Sequence, residues 1–435
     1  MKRISLTLVL LSILKSGLAF SAEEVLSAGV ARIDITPPLE MGATLGGYGE
    51  RMSKPALGVH DRVMAKALVI IQGKDRFALV TLDALGLPGA VKAAVVEKLA
   101  PSGWKADQIL FLSSHSHASI EINAVNPNNK FPIPQIGLFQ KDLFDFLVGR
   151  LAEVIEKAAK DPVPVAIGTA STNLEGWTHN RRKDNTAIDP VLTVTRIDKA
   201  SGEPLAVLVN WASHPTFLGP EDMLFSGEWP GHLQRTLEAL IGGGVTAMYS
   251  NGAEGDQAPS ARQDSGDSGW EKAERYGLAL GIEAHKVWEK VTPKPGGRFA
   301  YHLEPIELPK RTWHPDFMAT GGKEYGLREE IMEGLLNDLS PAATTSGSLR
   351  LGDLVIVGVP GEMASGLGKD LKDKTHAATG APQVVIGGLA NEWISYILSP
   401  EEYTKGGYEA SVSFYGAQLG PVISEGAVRG VASLK

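Results

Sequence analysis

Five short apolar runs, each ending in a polar turn, constrain most tightly what this chain can fold into. "QILFLSS" (108–114) leads into His115 and His117, "AVLVNWAS" (206–213) into His214, and "VTAMYS" (245–250) into "NGAEGDQAPS" (251–260). "LVIVGVPG" (354–361) leads into Glu362, and "PQVVIGGLA" (382–390) into "NEWISY" (391–396). Short apolar runs bounded by Gly, Pro and Asn read as buried strands. In α/β sheets the strand fixes a position while the loop after it is free to carry chemistry, so ligand sites collect outside the carboxyl ends. If several of these strands are parallel neighbours, the five tips form one pocket.

The rest of the chain fits that frame. Stretches 67–83 and 191–211 read as hairpins, turning at Gly73 to Asp75 and at Asp198 to Glu203. "GEWPGHLQRTLEALIGG" and "SGWEKAERYGLALGIEAHKVWEKV" have helical spacing with polar faces, the second capped by Ser268. Pro- and Gly-rich stretches at 292–297 and 317–323 read as loops or insertions. The expected fold is α/β, with mixed β-sheets flanked by helices and a metal site at the carboxyl ends of strands. The 435-residue length allows two or three domains or one large unit. A single catalytic body over residues 23–435 is the preferred division.

Residues 1–22 begin with Lys2 and Arg3, continue through an apolar core from Ile4 to Leu14, and end in small residues near Ala19 and Ala22. That is the build of a signal peptide cleaved near Ala22, and the expectation is an exported protein, periplasmic or secreted. The chain has no cysteine, which removes thiolate metal sites, Cys nucleophiles and disulfides, so any metal must be held by N and O ligands. A formal net charge of -8 without a basic run argues against a nucleic acid partner.

Side chains at i and i+2 of an extended segment share a face, so His115 and His117 could converge on one ion. The alternative is a pair of loop histidines bonded to backbone or solvent. His214 alone reads more readily as a buried, satisfied imidazole than as a ligand, Glu362 also as a first-turn carboxylate favoured by the helix dipole, and Tyr396 also as a core aromatic. Their common placement after strands favours a site. Two or three imidazoles with one carboxylate suit Zn²⁺, which takes N and O donors and leaves a position for water. "SGDSGW" (265–270) imitates a serine protease motif, but Ser268 explains itself as a helix cap, and Asp264 and Asp267 lack the spacing of a calcium loop.

"GVARIDITPP", "GGYGERMSKPALGVHDRVMAKALVI", "SSHSHAS", "NRR" (180–182), "NWASHPT", "NGAEGDQAP", "VPGEM" and "LANEWISYILSPEEY" occur in this order. Their order and spacing resemble the catalytic domain of the neutral ceramidase family, from about Gly29 onward. The resemblance implies a zinc ion held by His115, His214, Glu362 and Tyr396, with His117 and Arg181 contacting the substrate or the developing oxyanion. Trp393 replaces an earlier tyrosine of the family segment. Ala258 stands where the family has a serine at the zinc, which puts a serine-dependent mechanism in doubt. The family's additional C-terminal immunoglobulin-like domain is not expected here.

The implied reaction is hydrolysis of an amide by zinc-activated water, on ceramide or a related N-acyl lipid, because zinc lowers the pKa of bound water to about 7. In that scheme His117 passes a proton to the leaving amine, Arg181 stabilises the oxyanion, and Asp256 either orients a zinc ligand or holds its own turn. Residues 120–140 either line an acyl-chain groove or form a packed loop. A peripheral contact with a membrane surface and the oligomeric state are left open. The alternatives are another zinc-dependent esterase or deacetylase, and a non-catalytic exported metal- or lipid-binding protein.

Overall fold

The computed structural model describes residues 25–260 and 267–434. The expected signal segment and Asp264 lie outside the described residues. One large sheet takes the first half of the chain. Its main strands are β1 (Ser27–Asp34), β2 (Met64–Gln72), β3 (Asp75–Leu82) and β4 (Ile109–Ser113), followed by β5 (Val163–Asn173), β6 (Val191–Lys199), β7 (Pro204–Trp211) and β8 (Thr246–Asn251). They lie in the order β8-β7-β6-β5-β1-β2-β3-β4. The two outer pairs, β7 with β8 and β3 with β4, are parallel, and the inner neighbours are antiparallel. Both expected hairpins form: β2 turns into β3 at Gly73, φ +56°, and β6 into β7 across 200–203.

A second sheet takes β9 (Phe299–Glu307), β10 (Ala343–Leu351), β11 (Leu354–Gly358) and β12 (Gln383–Gly387) in that order, with β11 and β12 parallel. Strand alternation sends Leu68 and Ile70 to one face of the large sheet and Ala67 and Val69 to the other, and all four are buried. Burial on both faces is why these segments read as continuous apolar runs. Leu68, Ile70, Leu110 and Leu208 meet Leu349, Ile356 and Val385 of the second sheet. The opposite face is covered by α1 (Gly89–Leu99) and α2 (Lys141–Ala159) over β1 to β4, and by α3 (Glu228–Ile241) and α4 (Gly269–Lys290) over β6 to β8. Helix α5 (Glu329–Leu339) belongs to a small separate apolar cluster. The outer face of the second sheet takes α6 (Ser365–Thr379) and α7 (Leu419–Val431), completing four layers: helix, sheet, sheet, helix. This is the expected α/β class. Among the described residues no helix is long and apolar enough to cross a membrane.

Ser268 is a helix cap: its Oγ accepts from Glu271 N (3.3 Å), and the Glu271 carboxylate accepts from Ser268 N (2.8 Å) at the start of α4. The tips of the strands are joined by two asparagines. Asn251, ending β8, donates from Nδ2 to Ser114 O (3.1 Å) and Ser213 O (3.0 Å), which follow β4 and β7. Asn391, after β12, donates its N–H to Phe111 O (2.9 Å) and accepts at Oδ1 from Phe111 N (3.1 Å). Four carboxyl ends from two sheets therefore meet at one place.

Candidate metal centre

His115 follows β4 at φ +70°, a left-handed conformation that costs an L-residue roughly 1–2 kcal/mol. That turn aims its Nδ1 at Leu85 O (2.6 Å) and its Nε2 at Glu362 Oε2 (3.3 Å). His214, fully buried after β7, places Nδ1 against Glu254 O (2.8 Å) and Gln257 O (3.1 Å), and Nε2 at 3.0 Å from the same Glu362 oxygen. Backbone carbonyls accept only, so both imidazoles carry their proton on Nδ1 and turn the Nε2 lone pair inward. Glu362 Oε1 accepts from Trp393 Nε1 (2.7 Å). Glu362 and Tyr396 are direct partners in a two-residue parallel ladder, so their side chains leave the same face.

Two lone pairs and a carboxylate oxygen converge with no proton of their own to share, an arrangement that a cation resolves. Zinc–ligand bonds of 2.0–2.1 Å in a tetrahedron separate the ligand atoms by about 3.3 Å, which is the spacing found here. The second sign is His117. Its ring stands edge-on to His115 (centroids 4.9 Å apart), its donor atoms lie within 4.8 Å of those of His115 and His214, and both ring nitrogens are buried without a hydrogen-bond partner among the described residues. Buried polar atoms are rarely left unpaired, so these point to a ligand or substrate. The residues present therefore fit a divalent ion with N and O ligands.

The low pKa of His214 agrees with a neutral ring there. Burial, with the Arg181 charge beside it, lowers the His214 pKa to about 4, and burial holds His117 well below the ordinary imidazole range. Burial pushes the Glu362 carboxyl up, and positive charge at His115 and His214 would outweigh burial and hold the group well below its usual range; neutral rings leave that role to a cation. Tyr396 is raised well above an ordinary phenol by burial and then by the Glu362 charge. Its hydroxyl accepts from Arg181 Nη2 (2.9 Å), and its ring stacks parallel to His214 at 6.5 Å.

Arg181 is held as much as it holds. Its Nε donates to Glu409 Oε1 (2.8 Å) and its Nη2 also reaches Gly255 O (3.1 Å), while Glu409 Oε2 accepts from Arg182 (3.0 Å). The guanidinium is thus beside Tyr396, one step from His214 and Glu362. Asp256, expected either to orient a metal ligand or to hold its own turn, touches none of the candidate ligands through its carboxylate. Its carboxylate accepts from Asn180 Nδ2 (2.8 Å), Ser365 N (2.8 Å) and Ser365 Oγ (3.2 Å), and its carbonyl accepts from Arg181 N (2.8 Å). The turn of residues 254–257 gives the Glu254 and Gln257 carbonyls to His214 and the Gly255 and Asp256 carbonyls to Arg181, while the Asp256 side chain is directed to the start of α6. Ala258 lies in a short ladder opposite His179.

Several partners carry no signal in residue type. Leu85, Glu254 and Gln257 act through carbonyls, which any residue supplies. Arg51 is buried without a carboxylate partner among the described residues: it donates to the carbonyls of Gly46 (2.6 Å), His117, Gly219 (2.9 Å) and Asp222 (3.0 Å), clamping the loop behind His117. A Cβ on Gly47, φ +92°, would stand 2.2 Å from His117 Nδ1. The site opens into a cavity of about 490 Å³ reached by His115, His117, Glu362 and Tyr396, with Ile122, Asn126 and Ile136 of the 120–140 stretch in its wall. His60, Asp61 and His232 form a second cluster, but the Asp61 oxygens already accept from Arg235 (2.9 Å), Ser226 (2.5 Å), Gly227 N (3.1 Å) and His60 (2.9 Å).

Residues 26–269 and 334–422 match the family model described as neutral/alkaline non-lysosomal ceramidase, N-terminal. A neutral ceramidase of Mycobacterium tuberculosis is 23% identical, over 90% of this chain and 74% of its own. A neutral ceramidase of Pseudomonas aeruginosa is 22% identical, over 89% of this chain and 69% of its own. The crystal structure of neutral ceramidase from Pseudomonas aeruginosa superposes with a TM-score of 0.81 at 20% identity, covering 95% of this chain and 75% of that one. A structure described as ceramidase complexed with C2 superposes with a TM-score of 0.82 over the same shares. At such identities these two likenesses speak for the fold.

Proposed function

Since the chain belongs to the neutral/alkaline non-lysosomal ceramidase family, we propose that it is a zinc-dependent hydrolase splitting ceramide or a related N-acyl lipid into fatty acid and amine. The observation that carries this reading is the meeting of two inward imidazole lone pairs with Glu362 Oε2 at 3.0 and 3.3 Å, beside the unpartnered His117. His115, His214, Glu362 and Tyr396 would hold the ion. When bound, it supplies Lewis acidity, polarising a carbonyl and making water acidic enough to attack at neutral pH.

The chain's own groups do the rest. Leu85, Glu254 and Gln257 hold the imidazole tautomers through their carbonyls, and Trp393 fixes the plane of the Glu362 carboxylate. His117 receives a proton at a ring nitrogen as water adds to the amide carbon, and returns it to the nitrogen as the C–N bond breaks. Arg181 places positive charge beside the oxygen that becomes negative and keeps the Tyr396 hydroxyl oriented. Residues 23–435 act as one catalytic body in this proposal, and the basic and apolar build of residues 2–22 supports export.

The test is metal analysis and turnover on one purified sample, with long-chain N-acylsphingosine set beside short N-acetyl amides and esters. One ion per chain and chelator-sensitive cleavage of the N-acyl lipid are expected, with a melting temperature that falls on chelation because the ion binds only the folded state. Faster turnover of the esters would transfer the site to an esterase, and bound metal without turnover of any substrate would make it a binding protein. A scheme without a nucleophilic serine also predicts that Ala258→Ser changes kcat/KM by no more than about threefold. A hundredfold gain would show that a hydroxyl at that position takes part.

A further inference from the structure

The carboxylate of the His60, Asp61 and His232 cluster stands at the outer end of a short line of contacts that leads to His117. Gly58–Val59 and Leu224–Phe225 form a two-residue parallel ladder, and just beyond it His60 N donates to Phe225 O (2.9 Å). That register lays Asp61 against the turn of residues 226–228. Its Oδ2 accepts from Ser226 Oγ (2.5 Å) and His60 Nδ1 (2.9 Å), and its Oδ1 from Gly227 N (3.1 Å) and Arg235 Nη1 (2.9 Å). Burial raises the Asp61 pKa, but the Arg235 charge and these donors outweigh it, so the group stays ionised and only accepts. His60 is steadied in turn by stacking on Trp270, with centroids 4.4 Å apart.

Ser226, fully buried, passes the grip inward. Its N–H donates to Ala118 O (2.9 Å), its carbonyl accepts from Ser116 Oγ (2.8 Å), and that hydroxyl oxygen accepts from Ala118 N (3.2 Å). The residues on both sides of His117 are therefore tied to one serine, whose own side chain is tied to Asp61. The rings of His115 and His214 are held at Nδ1 by backbone carbonyls. The His117 ring has no hydrogen bond among the described residues, so its place follows from its backbone and its packing.

We propose that Asp61 is a positioning residue for His117: through Ser226 it fixes the chain on either side of a ring with no hydrogen bond of its own. This rests on the amide hydrolase reading for what His117 does, whereas the place of the ring can be read without turnover. Loosening the anchor spoils the return of a proton to the leaving nitrogen, a step that needs the ring within hydrogen-bond reach. A p-nitrophenolate departs as an anion and needs no such proton.

The test sets Asp61→Ala beside the native full chain, both metal-loaded, on a long-chain N-acylsphingosine and on the p-nitrophenyl ester of the same acid. For the amide, kcat should fall by about thirtyfold or more while KM stays within about twofold, and the ester should lose no more than about threefold. Metal content should stay near native. Ser226→Ala removes the hydroxyl and leaves the backbone contacts, so it should give the same pattern with a smaller loss. It serves as the main variant if melting curves show that Asp61→Ala does not fold. Equal loss on amide and ester, or loss of metal, overturns the proposal, because general loosening damages the whole site. Carbon-13 labelling of the histidine rings gives a second readout. The resonance missing from His117→Ala should shift or broaden in Asp61→Ala, while those of His115 and His214 stay in place. That selective change in a chain whose native form cleaves no amide supports the anchor and sinks the hydrolase. Amide turnover with an undisturbed His117 resonance does the reverse.

Discussion

Glu362→Gln is expected to purify without metal and to lose turnover by about a thousandfold or more, while its melting temperature stops responding to chelator. Lewis-acid stabilisation is worth several kcal/mol, and each 1.36 kcal/mol is a factor of ten. The substitution is nearly isosteric, so packing survives it. What changes is the proton count. In the native site Oε2 faces two imidazole lone pairs at 3.0 and 3.3 Å and can satisfy neither without a cation. A glutamine keeps an oxygen for the Trp393 N–H and turns its amide N–H₂ toward those lone pairs, completing the hydrogen bonds that the ion would otherwise make unnecessary. The variant should therefore fold as well as the chelated native protein. Full metal content in Glu362→Gln, with a rate near native, would remove the carboxylate from the site.

Gly47→Ala should lower kcat by a hundredfold or more while leaving metal content near native. The new methyl would lie 2.2 Å from His117 Nδ1 and 2.6 Å from Cγ, so the ring must move. It has little room: Arg51 grips the His117 and Gly46 carbonyls, and Tyr48 packs on the ring at 5.0 Å with its hydroxyl donating to Leu218 O (2.7 Å). A positioned proton carrier is worth about 10²–10⁴ in rate. Left-handed backbone at an alanine adds roughly 1–2 kcal/mol of destabilisation, which a melting curve separates from the kinetic effect. Because the glycine acts through the histidine, the double variant with His117→Ala should be no slower than His117→Ala alone. Multiplying losses would show that Gly47 serves something else.

The parts of this molecule legible in its sequence are those with a local physical cause. A β-strand buried on both faces must be apolar throughout, so the runs before His115, His214 and Glu362 announced themselves, and turn chemistry located the hairpins at Gly73 and residues 198–203. Ser268 was recognisable as a cap because its partner Glu271 lies three residues on. Direction within a loop is different. Asp256 sits two residues from a carbonyl that orients His214, yet its side chain leaves toward Asn180 and Ser365, and nothing in the identity of an aspartate fixes that choice. Trp393 read as a tolerated replacement and is a direct partner of Glu362. The small apolar cluster joins residues 136 and 317–336, and its packing follows from pairing over a distance that periodicity does not report.

The two hydrogen bonds from Asn251 Nδ2 tie the loop carrying His115 to the loop carrying His214. The gap between those imidazoles is consequently set by an amide inside the protein, before any ion arrives. The disorder lost in gathering the donors is surrendered during folding, so capture of the cation requires little rearrangement and should be governed by how quickly it sheds water. An emptied site should keep its shape, like a socket waiting for its ball, and refill without passing through a loosened chain.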